Sequence, residues 1–141
     1  MARFRHSVTL PRPPEAVFPW LFEQGRVPQW TGNLEAYEAP AAVEQGSHVR
    51  QVLNISGQRV DLDLEITRYD PPRGAESRFA FTGVDVVIGY SLAPNGSGTE
   101  LTQTLEANAS GFKAKMLVPM VQPRLEKKLT EDLDKLREVL S

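Results

Sequence analysis

The stretch "RVDLDLEITRY", Arg59 to Tyr69, decides how the chain is read. Val60, Leu62, Leu64 and Ile66 alternate in it with Asp61, Asp63, Glu65 and Thr67. Alternation with period two puts each set on its own side of a strand, whereas a helix would scatter both sets around its axis. One side is apolar and the other mostly acidic, which is the pattern of an antiparallel strand with one face in water. A slip of one residue would bury Asp61 and Asp63, so the register is strongly constrained.

Working outward, "ISGQRV" is a glycine-containing hairpin that leads back to "GSHVRQVLNIS", in which Val49, Gln51, Leu53 and Ile55 share a face. "NLEAYEA" before it is a weaker strand. On the other side "DPPRG" makes a turn, with proline pre-setting φ. "AESRFAF" follows with Phe79 and Phe81 inward, then "VDVVIGYSLA", the turn "PNGSG" and "TELTQTLEANAS". Near the start, Phe4, His6, Val8 and Leu10 share one face of "FRHSVTL", which "PRPP" ends. "PPEAVFPWLFEQ" then opens a helix with Pro14 in its first turn, Glu15 at its positive end and an apolar face of Val17, Phe18, Leu21 and Phe22. Pro19 predicts that this helix is short or distorted, and "GRVPQWTG" predicts a second short helical turn. Leu125, Leu129, Leu133, Leu136 and Leu140 stand at helical spacing in the last third. Pro119 is expected to bend or end helix near Lys115, and Pro123 to begin the continuous helix or kink it again. A meander with one apolar face needs a cover, and the long helix is the available one. The expected class is α+β.

Composition sets the outer limits. A length of 141 residues predicts a single domain spanning 1–141. Apolar residues make up 40% and charged residues 24%, ordinary for a soluble globular protein. A net charge of −2 gives no general attraction to nucleic acid or anionic lipid. There is no cysteine, hence neither disulfide nor thiolate chemistry. "MARFRHSVTLPRPP" lacks the apolar run of a signal peptide, and no segment is long enough to span a bilayer. A cytoplasmic location is expected.

In this order the segments resemble the START-like, helix-grip superfamily, in particular its polyketide cyclase/dehydrase-like (SRPBCC) branch. The resemblance is carried by "VTLPRPPEAVFPWL", "VPQW", "YDPPRG", "YSLAPNGSGTELT" and the ending "GFKAKMLVPMVQPRLEKKLTEDLDKLREVL". It implies a curved seven-stranded antiparallel sheet wrapped round a long C-terminal helix, two short helices after the first strand, and a cavity between sheet and helix. Members bind lipids, polyketides, hormones, quinones or other apolar molecules, and a minority catalyse cyclisation or dehydration. Pro19, Pro119 and Pro123 depart from the usual pattern. Quinone-binding relatives usually carry a tyrosine–proline pair where this chain has "PQW".

The residues themselves carry no metal or catalytic signature. Alternate acids in "DLDLE" lie roughly 6–7 Å apart along a strand, too far to close round one ion. His6 and His48 lack the spacing of a metal pair, so no metal and no cofactor is expected. "NGSG" lacks the lysine and helix of a phosphate loop. Tyr90 and His6 fall on inward faces and form a candidate acid/base pair, with plain packing as the alternative. Gln51 and Gln103 are polar residues in apolar rows, either hydrogen-bonded within the core or facing a cavity. The expected partner is a small apolar molecule. Leu53, Leu64, Phe79, Phe81 and Met120 form its apolar wall, Trp30 stands near the mouth, and Tyr90, Gln51 and Gln103 orient polar atoms. Met116 and Met120 lie on a segment read as a gate over the cavity or a plug of the core. A cyclase/dehydratase-type enzyme and a protein-interaction module, such as a homodimer, are the rival readings.

Overall fold

The computed structural model describes residues 2–55 and 57–141. Strand β1 (Ala2–Leu10) is followed by helix α1 (Pro14–Val17) and two 3-10 turns, Phe18–Trp20 and Val27–Gln29. Six strands come next: β2 (Leu34–Glu38), β3 (His48–Ile55), β4 (Gln58–Asp70), β5 (Gly74–Phe81), β6 (Val84–Asn95) and β7 (Gly98–Ala109). Helix α2 (Phe112–Leu140) ends the chain. The strands form one antiparallel sheet in the order β1-β7-β6-β5-β4-β3-β2. This is the expected seven-stranded helix-grip architecture. Ser56 of the β3–β4 hairpin lies outside the described residues, but its flanks pair Ile55 with Gln58.

The decisive strand has the expected register. Leu62, Leu64 and Ile66 are buried, and Asp61 and Asp63 are exposed on the convex side. There Asp61 accepts a hydrogen bond from Arg50 at 2.6 Å and Asp63 lies 3.1 Å from the His48 ring. Such exposed pairs contribute little to stability, so the alternation matters because of what it hides. Val17, Phe18, Leu21 and Phe22 are buried as their spacing predicts. With no N–H on Pro19, α-helix gives way to 3-10 geometry at Phe18.

Helix α2 departs from expectation. It runs unbroken over 29 residues with Pro119 and Pro123 inside it. The prolines cannot donate to the carbonyls of Lys115 and Pro119, four residues back. Lys115, Pro119 and Pro123 are all exposed, so both lost bonds fall on the solvent side of the helix, where water substitutes. The regular leucines hold the other side: Leu133 and Leu136 are at 0% exposure and Leu140 at 1%. Taken as a whole, α2 lies closest to β1 and β7.

Candidate functional site

The first half of α2 is not seated in the same way. Leu117, Val121 and Leu125 are only partly buried, because a cavity of about 290 Å³ separates this part of the helix from the sheet. The sheet side is built by inward residues at the ends of two hairpins. Leu53, Ile55, Val60 and Leu62 come from β3 and β4, and Phe79, Phe81, Val84 and Val86 from β5 and β6. Leu117, Met120, Val121 and Leu125 close the helix side. Gln58 and Arg124 are the polar members of the wall, and both are exposed, which puts them at the rim. A charged group deep inside this cavity would find no partner, so the space favours apolar contents.

The opposite end of the grip is filled rather than hollow. The Phe22 ring meets Tyr90 edge-on at 5.7 Å, and Phe18 meets Tyr69 at 5.2 Å. The Trp30 indole N–H donates to the Trp20 carbonyl at 2.9 Å, and the Tyr37 hydroxyl donates to the Phe22 carbonyl at 2.5 Å. Burial pushes the Tyr37 phenol far above its ordinary range. Burial also pushes Tyr90 up to about 12, although the Gln103 hydrogen bond pulls the other way. Both phenols therefore stay protonated at neutral pH.

A profile of the family described as polyketide cyclase/dehydrase and lipid transport matches residues 1–141. The chain belongs to this family. Among solved structures, TTHA0849 from Thermus thermophilus is 19% identical with a TM-score of 0.78, over 97% of this chain and 95% of that one. A START superfamily protein from Mycobacterium smegmatis is 16% identical with a TM-score of 0.73, over 99% of each chain. Ara h 8.0201 is 13% identical with a TM-score of 0.79, over 99% of this chain and 97% of that one. At these identities the likeness is one of fold. None of the curated proteins compared with the chain is similar to it in sequence.

Within this polyketide cyclase/dehydrase-family fold, the expected wall residues separate into two groups. Leu53, Phe79, Phe81 and Met120 meet at the cavity. Leu64, Tyr90 and Gln103 share the concave face but stand further along their strands, in the filled end. Gln51 is half-buried, opposite Leu62 on β4 and Tyr37 on β2, and also off the cavity wall. Trp30 does not stand at a mouth: its hydrogen bond to Trp20 ties it into the core at 5% exposure. Met116 does not face the cavity either. It is 61% exposed, because four-residue spacing from Phe112 carries it to the solvent side of α2. His6 and Tyr90 do not form a pair. Gln103 stands between them in register, and the His6 Nε2 atom lies 3.3 Å from Asp134 Oδ1.

Sequence reading missed the hairpin ends, Ile55, Gln58, Val60, Val84 and Val86, although the "ISGQRV" turn marked where such an end must fall. It also missed a largely buried ion pair. Asp132 Oδ1 accepts the Gly32 N–H at 2.9 Å, while Lys128 Nζ donates to Asp132 Oδ2 at 2.6 Å and to the Gly32 carbonyl at 2.8 Å. Burial raises the Asp132 carboxyl above its ordinary value, with Lys128 and the Gly32 amide opposing. This cluster fastens α2 to the segment before β2. The i,i+4 spacing of Lys128 and Asp132 hinted at a pair but not at its burial.

Proposed function

We propose that the chain binds a small apolar or amphipathic molecule in the cavity between the sheet and the first half of α2. One observation carries this reading: about 290 Å³ of space walled by aliphatic and phenylalanine side chains, with polar groups only at the rim. Close-packed interiors seldom leave voids much larger than a water molecule. The volume is at the lower end of small-molecule sites, which points to a compact ring system or a short chain. Gln58 and Arg124 are placed to meet a polar head. Each buried methylene is worth about 0.8 kcal/mol before the costs of association, so a modest ligand reaches roughly micromolar affinity. Among the described residues, no histidine or carboxylate belongs to the cavity wall, which favours binding over turnover of the cyclase or dehydratase kind.

The test is a titration with the apolar fluorophore N-phenyl-1-naphthylamine on wild type and on Val86→Phe, which fills the cavity from its wall. Wild type is expected to bind with roughly micromolar affinity and the variant about tenfold or more weakly, with its melting temperature kept. Equal binding by both proteins would place the probe elsewhere and sink the reading. Native mass spectrometry of protein purified from its own host then identifies the natural occupant.

A further inference from the structure

Among the described residues, the exposed large apolar side chains are Phe81, Phe112, Met116 and Met120, at 36, 80, 61 and 67% exposure. All four gather at one end of the molecule. Phe112, Met116 and Met120 follow one another at four-residue spacing, so they form a ridge along the outside of α2. Pro119 and Pro123 are exposed beside it. Phe81 ends β5, whose hairpin is held to the start of α2 by the Ser110 N–H bonding the Gly83 carbonyl at 3.3 Å. The first turns of α2 thus have two apolar faces, one toward the cavity and one toward solvent, and Met120 and Phe81 belong to both.

Charge accompanies the ridge. Between Gly111 and Lys128 the chain carries Lys113, Lys115, Arg124, Lys127 and Lys128 against the single acid Glu126. Lys128 is engaged by Asp132, and Lys127 faces Glu131 at 4.0 Å. Among the described residues Lys113, Lys115 and Arg124 have no ion-pair partner, and the first turn of α2 contains no acid. The chain as a whole carries −2, so the fold collects positive charge at the one end where it also exposes apolar side chains.

We infer that this end of the molecule docks on the surface of a bilayer containing anionic lipid, with Phe112, Met116 and Met120 entering the interface and Lys113, Lys115 and Arg124 meeting headgroups. A convex ridge of flexible methionines offers no shaped pocket or edge for a protein partner, but it suits a fluid interface that takes an amphipathic helix lying flat. Each lysine or arginine near an anionic surface adds to the attraction, and salt screens it. No described helix is long and apolar enough to cross a membrane, so the contact is peripheral. The docking does not depend on the cavity being filled.

Flotation with vesicles tests it, comparing pure phosphatidylcholine with an equal mixture of phosphatidylglycerol and phosphatidylcholine. Wild type is expected to bind the anionic vesicles about tenfold or more tightly than the neutral ones, less so as salt rises. Phe112→Ser/Met116→Ser is expected to lose that binding while retaining N-phenyl-1-naphthylamine, because neither residue lines the cavity. Lys113→Gln/Lys115→Gln is expected to lose the preference for anionic lipid. Equal affinity for the two vesicle types, or undiminished binding by the serine variant, would overturn the proposal. So would a dimer in sedimentation that the serine variant abolishes, since the ridge would then belong to a second copy of the chain.

Discussion

The Gln103 side-chain amide donates to the Tyr90 hydroxyl at 3.2 Å, the two residues facing each other in register across β7 and β6. Both are buried, and Gln103 Oε1 has no partner of its own. The pair therefore contains one satisfied contact and one unsatisfied acceptor inside an apolar layer. Gln103→Leu removes the acceptor but strands the Tyr90 hydroxyl, at a cost of about 1–2 kcal/mol. Adding Tyr90→Phe removes the stranded group and returns stability to near wild type. Urea melts of the two single variants and the double variant check this, and additive losses would show that the contact is not the reason for either residue.

Asp132 predicts a pH dependence. Burial lets its carboxyl hold a proton more tightly in the folded state than in the unfolded chain. The stability linked to that proton is fully present below about pH 4 and is lost as pH rises through the folded value. Asp61 and Asp70 act in the opposite sense at lower pH, since Arg50 and Arg73 hold their carboxyls below the ordinary value. The contribution of Asp132 is isolated by comparison with Asp132→Asn, which keeps the acceptor for the Gly32 N–H. From about pH 4 upward, wild type should lose stability relative to that variant. Parallel pH profiles would contradict the raised carboxyl.

The two halves of α2 should respond differently to truncation. Leu133→Ala opens a void in a packed region and is expected to cost about 3 kcal/mol. Leu117→Ala enlarges a space that already exists and should cost about 1 kcal/mol or less. Denaturant midpoints distinguish the two, and similar losses would mean that the helix is seated alike along its length.

Hydrogen exchange gives a separate view of the same helix. The carbonyls of Lys115 and Pro119 lack their i+4 donors, and Leu117 between them lines the cavity. Amides from Lys115 to Val118 should exchange faster than those from Leu129 to Leu136, and an apolar occupant should slow the first group. Pro119→Ala restores one donor and is expected to stabilise the protein by about 2 kcal/mol. Uniform protection along α2 would refute this division.

The strands are legible because burial on one side of a sheet leaves a period-two trace. Ile66 between Glu65 and Thr67 is readable without any partner in view. The helix is harder because its first half is apolar on two sides. Leu117, Val121 and Leu125 form one helical row and Phe112, Met116 and Met120 another, and nothing in the spacing tells which row the sheet covers. Met116 lies on the side opposite to its expected one for that reason. Asp132 owes its burial to Gly32, far away in sequence, and Trp30 is tied in by the Trp20 carbonyl through a turn that no hydrophobic period encodes. Pro119 and Pro123 would break a helix that needed every donor, but their position on the solvent side relaxes that need.

The sheet order has a consequence for how the chain reaches its native state. β1 pairs only with β7, from Ala2 opposite Ala107 to Leu10 opposite Thr99. On a ribosome, the first strand is made on the order of ten seconds before its partner exists. The β3–β6 hairpins join near neighbours and can form as they emerge, whereas the β1–β7 seam must close the long loop from Leu10 to Gly98. Phe4, Val8 and Leu10 therefore wait in a nascent chain with no ladder to join until β7 has emerged.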